Sequence, residues 1–265
     1  MNKIDLTFKR LQSKGQTALI PFIVAGDPDL EATEALVLKL AESGADLIEL
    51  GVPFSDPLAD GPTIQAASQR ALQNGVNLKH IFSLTERLKG IDIPLVLMTY
   101  FNPIFRYGLK DFAESCQRSG VDGVIIPDLP PEEAGPWIQE ARRMGLDTIF
   151  LIAPTSPLGR IRLVNRCSRG FIYYVSITGI TGTREKLPEE LELAVKAVKE
   201  QSQKRVAVGF GISTPEQAKR ISLFADGVIV GSAIVKRIEE NLESQDLAEI
   251  VGDFISSLAK ALKSS

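Results

Sequence analysis

The sequence is poor in the side chains that do metal and nucleophilic chemistry. Among 265 residues there are two cysteines and one histidine. Cys116 and Cys167 stand apart, each in a polar neighbourhood and neither in a CxxC spacing. Two thiols and one imidazole cannot build an ordinary zinc site, and their scarcity fits reduced thiols in a cytosolic-type compartment. His80 lies in Asn77-Leu78-Lys79-His80-Ile81, which reads as a helix start, so it is taken as a bystander and not as a catalytic base. Long apolar runs are missing too: nothing approaches the ~18 uninterrupted residues of a membrane span. The opening Met1-Asn2-Lys3-Ile4-Asp5-Leu6 has no apolar signal core and no Arg-rich transit pattern. The expected location is the cytoplasm, or a plastid stroma if the chain is a processed organellar protein. There is no basic run, and 30 Lys+Arg against 33 Asp+Glu give a net charge of −3. That balance argues against nucleic acid and against charge-driven membrane attachment. What remains for chemistry is carboxylates, lysines, tyrosines and backbone dipoles.

What is present is an ordinary globular mix, 44% hydrophobic and 24% charged, which excludes disorder and a disulfide scaffold. Short β-rich apolar runs recur at residues 18–24, 47–51, 94–99, 123–126, 147–152, 171–175, 206–209 and 227–230. They are mostly continuous, as strands buried on both faces are. Helical stretches lie between them. Asp29-Leu30-Glu31-Ala32, Pro131-Glu132-Glu133-Ala134 and Ser213-Thr214-Pro215-Glu216 put acids or proline in a first turn, where they suit the dipole and the unpaired N–H groups. Eight βα units without a low-complexity linker predict a single (β/α)₈ barrel of the TIM type spanning residues 1–265. A doubly wound sheet is the alternative, but no GxGxxG follows the first strand. Ile4, Phe8 and Leu11 share one helical face, which predicts an extra N-terminal helix over one end of the barrel. Residues 247–262 predict the final amphipathic helix.

In such barrels the active site lies at the C-terminal ends of the strands, which reduces the sequence to a few loops. The second strand carries Glu49 inside an apolar run. By period two, Leu47, Glu49 and Gly51 share a face and Ile48 and Leu50 the other. If the latter pack on helices, Glu49 points into the barrel near its mouth. Burial would raise its pKa and suit a group that gives and takes a proton near neutrality. The alternative is a structural carboxylate paired with a barrel Lys or Arg. Asp56 and Asp60 follow in a loop stiffened by Pro53, Pro57 and Pro62, and spacing does not choose between them. After the sixth strand, Gly179 and Gly182 lie amid Ser and Thr and suggest either a hinged lid over residues 176–187 or a plain flexible loop. After the seventh and eighth strands come Gly209-Phe210-Gly211-Ile212-Ser213 and Gly231-Ser232-Ala233-Ile234-Val235. Barrel enzymes often hold a phosphate there, and Gly211, Gly231 and Ser232 suit it; tight βα turns are the other reading. Phe22, Tyr100, Phe101, Leu129, Tyr173 and Phe210 offer an apolar slot beside these loops. On the residues alone, a phosphosugar isomerase also fits.

The block Glu49-Leu50-Gly51-Val52-Pro53-Phe54-Ser55-Asp56-Pro57-Leu58-Ala59-Asp60-Gly61-Pro62-Thr63-Ile64-Gln65 resembles the signature of the tryptophan synthase α subunit family. Pro21-Phe22-Ile23-Val24-Ala25-Gly26-Asp27-Pro28, Met98-Thr99-Tyr100-Phe101-Asn102-Pro103, Pro127-Asp128-Leu129-Pro130 and Gly179-Ile180-Thr181-Gly182 continue the match. Together with the two glycine loops they span nearly the whole chain in the family's order. The resemblance implies a lyase that cleaves indole-3-glycerol phosphate to indole and glyceraldehyde 3-phosphate by a retro-aldol route. It implies Glu49 as proton donor to indole C3 and base at the glycerol hydroxyl, and Asp60 at the indole N–H. Phe22, Tyr100, Leu129 and Tyr173 would line the indole slot. Gly182, Gly211, Gly231 and Ser232 would hold the phosphate, and Thr181 would connect the lid to Asp60.

The resemblance also implies a β subunit partner in an α2β2 heterotetramer. Pyridoxal phosphate would sit only in that partner, with no cofactor in this chain. Two loops at the barrel mouth suit the docking: residues 53–62, and Tyr100-Phe101-Asn102-Pro103-Ile104-Phe105-Arg106-Tyr107, whose aromatics and Arg match interface centres. A free-standing indole-releasing lyase and a non-catalytic protein on this fold are the rivals.

Overall fold

The computed structural model describes residues 2–176, 189–209 and 211–263. Its strands are β1 (Ala18–Val24), β2 (Ile48–Gly51), β3 (Leu95–Met98), β4 (Gly123–Ile125), β5 (Asp147–Ile149), β6 (Leu151–Ile152), β7 (Phe171–Val175), β8 (Arg205–Gly209) and β9 (Gly227–Val230). The helices are α1 (Lys3–Ser13), α2 (Leu30–Glu42), α3 (Pro62–Gln73), α4 (Leu78–Arg87), α5 (Phe101–Tyr107) and α6 (Leu109–Ser119). They continue as α7 (Gly135–Arg143), α8 (Leu158–Cys167), α9 (Glu189–Ser202), α10 (Pro215–Ser222), α11 (Ser232–Glu239) and α12 (Leu247–Lys263).

All strand pairings are parallel, in the order β5-β4-β3-β2-β1-β9-β8-β7-β6. The two outermost members, β5 and β6, are successive pieces of one stretch of chain, so the sheet returns on itself as a (β/α)₈-type barrel. One correction follows: the expected single strand over 147–152 is two. Residues 147–149 pair with β4 and residues 151–152 pair with β7. Phe150 is the changeover, its carbonyl accepting the Tyr173 N–H at 3.1 Å. Closing a barrel staggers the hydrogen-bond register between neighbouring strands, and here the stretch meets β4 early and β7 late along its length.

Period-two alternation sorts the side chains. Ile20, Val96, Ile125, Ile149, Phe171, Ala207 and Ile229 fill the barrel interior. Ile48, Leu50, Val124, Ile172, Val206 and Val228 face outward into the larger core under the helices. Asn2 caps α1 by accepting the Ile4 N–H at 3.0 Å. Helix α1 buries Ile4, Phe8 and Leu11 against the interior residues. Its Ile4 lies against Gly123 and Gly170, where β4 and β7 begin. The expected extra helix therefore closes the barrel at the strands' N-terminal end and leaves the other end for a site.

Two helix starts match their signals: Asp29 accepts the Ala32 N–H at 2.7 Å, and Thr214 accepts the Gln217 N–H at 3.3 Å. A third is displaced. Pro130 to Glu133 closes a turn, with the Glu133 N–H on the Pro130 carbonyl at 3.0 Å. Helix α7 begins only at Gly135, with Pro136 in its first turn. The expected docking loop over 100–107 is mostly helix α5.

Candidate active site

Glu49 sits on β2 in register with Phe22 on β1 and Val96 on β3. Its neighbours Ile48 and Leu50 pack outward, so alternation turns Glu49 inward, as the sequence predicts. It is 1% exposed. Neither carboxylate oxygen has a hydrogen-bond partner among the described residues, which sets aside the paired structural carboxylate. An unpaired charge there is costly. Burial, followed by the negative charge of Asp60, pushes the Glu49 carboxyl up to about 8.

Asp60 ends the proline-stiffened loop and precedes α3. Its N–H bonds the Pro57 carbonyl at 3.0 Å, and its carbonyl accepts the Gln65 side-chain amide at 2.8 Å. Burial raises its carboxyl to about 6, against a hydrogen bond from the Tyr100 hydroxyl that lowers it. The same hydroxyl accepts the Ala59 N–H at 3.0 Å, and the Tyr100 ring stacks on Phe54 with centroids 5.2 Å apart. Asp56, the other aspartate that spacing left open, is exposed and accepts the Ser55 hydroxyl at 2.6 Å.

Both Glu49 and Asp60 open onto one cavity of about 560 Å³. Phe22, Tyr173, Met98 and Ile229 form its apolar walls, and Gly211, Ser213, Gly231 and Ser232 its polar end. A Cβ at Gly209 would stand 2.5 Å from the Tyr173 hydroxyl, so only glycine lets that ring lie beside β8. Gly211 has φ +77°, a backbone state that favours glycine. Helix α11 starts at Ser232 without a side-chain cap. Its first N–H groups have no intrahelical carbonyl to bond, so they suit an anion.

The cavity brings together Glu49, Asp60, Phe22, Tyr173, Gly211, Gly231 and Ser232. Tyr100 is not on its wall; it stands behind Asp60 and holds it. Leu129 is buried beside a neighbouring cavity of about 430 Å³, walled by Asp128, Phe150, Ile152 and Val175. Thr181, Gly182, Phe210 and the lid over 176–187, Ser176 apart, fall outside the described residues. Lys236 also lines the main cavity, and sequence reasoning did not single it out. It follows Ser232 by one helical turn, a spacing that puts both on one face. Among the described residues no three His, Cys, Asp or Glu side chains group to hold a metal ion.

The comparisons agree with this geometry. A sequence profile described as "Tryptophan synthase alpha chain" matches residues 8–261. A tryptophan synthase alpha chain of Geobacter sulfurreducens is 52% identical over 99% of this chain and 99% of its own. One from a Thermoanaerobacter species is 49% identical over 99% and 100%. A crystal structure of the alpha subunit from Legionella pneumophila superposes with TM-score 0.93 at 40% identity, covering 99% of this chain and 98% of that one. A chain of Mycobacterium tuberculosis tryptophan synthase does so with TM-score 0.92 at 37% identity, covering 100% and 99%. With its barrel, its pair of carboxyls at one cavity and full-length similarity of this strength, the chain belongs to the tryptophan synthase alpha chain family.

Proposed function

We propose that the Glu49–Asp60 cavity performs this family's lyase reaction, cleaving indole-3-glycerol phosphate to indole and glyceraldehyde 3-phosphate. The observation that carries the reading is the pair itself: two carboxyls at one cavity whose surroundings set their proton affinities apart. Near neutrality Asp60 is ionised and Glu49 holds its proton, which assigns one as base and the other as acid. Glu49 protonates indole C3. The ring becomes an iminium-like electron sink, and Asp60 steadies the charge at the indole N–H. The glycerol hydroxyl gives its proton to the Glu49 carboxylate and forms the aldehyde. The C–C bond breaks, and its electron pair restores the indole ring. The proton balance closes on Glu49, which ends as it began.

Phe22 and Tyr173 support the ring. The N–H groups at Gly231–Ser232, with Gly211, seat the phosphate, and Lys236 adds a positive charge beside it. The family likeness adds Thr181 and Gly182 as substrate-binding residues, and our reading of the aromatic residues adds Phe210. Residues 1–265 act as one catalytic domain. Membership of the family implies a β subunit partner. In our reading the assembly is α2β2, with pyridoxal phosphate in the partner and no cofactor in this chain. No helix among the described residues is long and apolar enough to cross a membrane, and we place the protein in the cytoplasm.

The test is indole release from indole-3-glycerol phosphate. Glu49→Gln keeps the size but cannot exchange the proton, and turnover is expected to fall by at least ~100-fold. Near-parental turnover would remove Glu49 from the mechanism.

A further inference from the structure

Arg70 is not among the cavity-lining residues, yet it joins the elements that build the cavity's walls. It projects from the last turn of α3. Its guanidinium forks onto Asp27, with Nε donating to Oδ1 at 2.7 Å and Nη2 to Oδ2 at 2.9 Å. The remaining nitrogen, Nη1, donates to Glu239 Oε1 at 3.1 Å, on the last residue of α11. Asp27 is 1% exposed and lies in the turn after β1. Asn74, just past α3, secures the same turn by donating to the Pro28 carbonyl at 2.6 Å. At its other end α3 holds Asp60 through Gln65. Helix α11 in turn begins with Ser232, at the anion-suited end of the cavity.

One arginine therefore ties the β1 turn to two helices that pack against each other. One of those helices carries the carboxylate loop and the other the phosphate seat. A slip of either helix along the other changes the separation of the two ends of the site. A bidentate fork fixes distance and angle together, which a lysine at the same place cannot do. A buried ion pair is weak evidence for stability but a good device for register.

We propose that Arg70 is a positioning residue of the lyase. Through Asp27 and Glu239 it holds Asp60 at a fixed spacing from the Gly231–Ser232 seat, matched to a substrate whose phosphate and ring are one glycerol unit apart. The proposal rests on the lyase reading of the cavity.

The test compares the parent chain with Arg70→Lys, which keeps charge but loses the fork, and Glu239→Gln, which takes the charge from the α11 arm alone and leaves a weaker, neutral acceptor there. A misplacement of about 1 Å costs on the order of 100-fold. A partial slip in Arg70→Lys is therefore expected to cost about tenfold in kcat for indole release, with a raised KM and a nearly parental melting temperature. Glu239→Gln is expected to raise KM more than it lowers kcat, and to weaken binding of glycerol 3-phosphate. Values of kcat and KM within about twofold of the parent in both variants overturn the proposal, as does a loss fully accounted for by unfolded protein. If Arg70→Lys does not fold, Glu239→Gln decides alone. A parent without indole release refutes the lyase reading instead. Amide exchange then judges the clamp. It predicts faster exchange at residues 58–64 and 232–235 in Arg70→Lys with α7 unchanged, and unaltered exchange overturns it.

Discussion

Glu49 keeps its proton because the barrel interior withholds both water and a partner. Its carboxyl stands at about 8 in the fold against an ordinary 4.5. Between those values the folded chain binds a proton that the unfolded chain has released, so stability falls as pH rises through that window. Glu49→Gln removes this penalty. Its melting temperature should exceed the parent's by a margin that grows from about pH 4.5 to about pH 8 and then levels off. Scanning calorimetry across pH checks it; a margin independent of pH would show that Glu49 is not held neutral. Tyr100 acts in the opposite sense on Asp60, since its hydroxyl lowers that carboxyl. With the Asp60 carboxyl raised to about 6, Tyr100→Phe should move the acidic limb of the pH–rate profile to higher pH than in the parent, and an unmoved limb would free Asp60 from Tyr100. Of these residues, Glu49 was legible in the sequence because strand alternation fixes its direction. Spacing alone did not separate Asp60 from Asp56, because a proline-rich loop has no period to assign side-chain direction; only the family resemblance singled out Asp60. Lys236 escaped because its place on the cavity depends on where α11 starts.

At the scale of elements, the apolar runs marked the barrel strands to within about a residue at most ends, since strands buried on both faces advertise themselves in composition. The break at Phe150 was invisible. It depends on a change of pairing partner, and both pieces are equally apolar. The segment 100–107 was read as a docking loop, but seven of its residues form α5; Pro103 in the first turn suits a helix start as well as a loop. The N-terminal helix was legible from the spacing of Ile4, Phe8 and Leu11, and its packing explains its use. Ile4→Ala should cost about 2–5 kcal/mol of stability, the usual range for emptying a packed aliphatic site. Indole release per folded molecule should remain, since α1 closes the end of the barrel away from Glu49. Urea unfolding with active-fraction normalisation checks both. A loss of turnover without a loss of stability would mean that α1 reaches the site.

On the scale of the whole molecule, the barrel separates what stabilises it from what reacts. Helix α1 fills the end where strands begin, and the carboxyl pair, the glycine turns and α11 gather at the other. Exposed apolar side chains also lie among the segments expected to dock. Leu58 is 92% exposed in the Asp60 loop, and Phe105 is 67% exposed on α5. A β subunit covering them would touch the loop that carries Asp60, so partner binding and ligand binding at the α site would be linked reciprocally, and the partner would also act on turnover through that loop. Phe105→Ala should therefore weaken stimulation by a cognate β subunit more than it weakens basal indole release. Equal losses in both would place the docking surface elsewhere.

The central claim is that Asp60 works ionised and Glu49 protonated, and the pH dependence of kcat/KM for indole release tests it most directly. The account predicts a bell with apparent limbs near 6 and 8, of which Asp60→Asn removes the lower and Glu49→Gln the upper, each at greatly reduced rate. A profile flat from about pH 5 to about pH 9, or one whose limbs survive both substitutions, would contradict it.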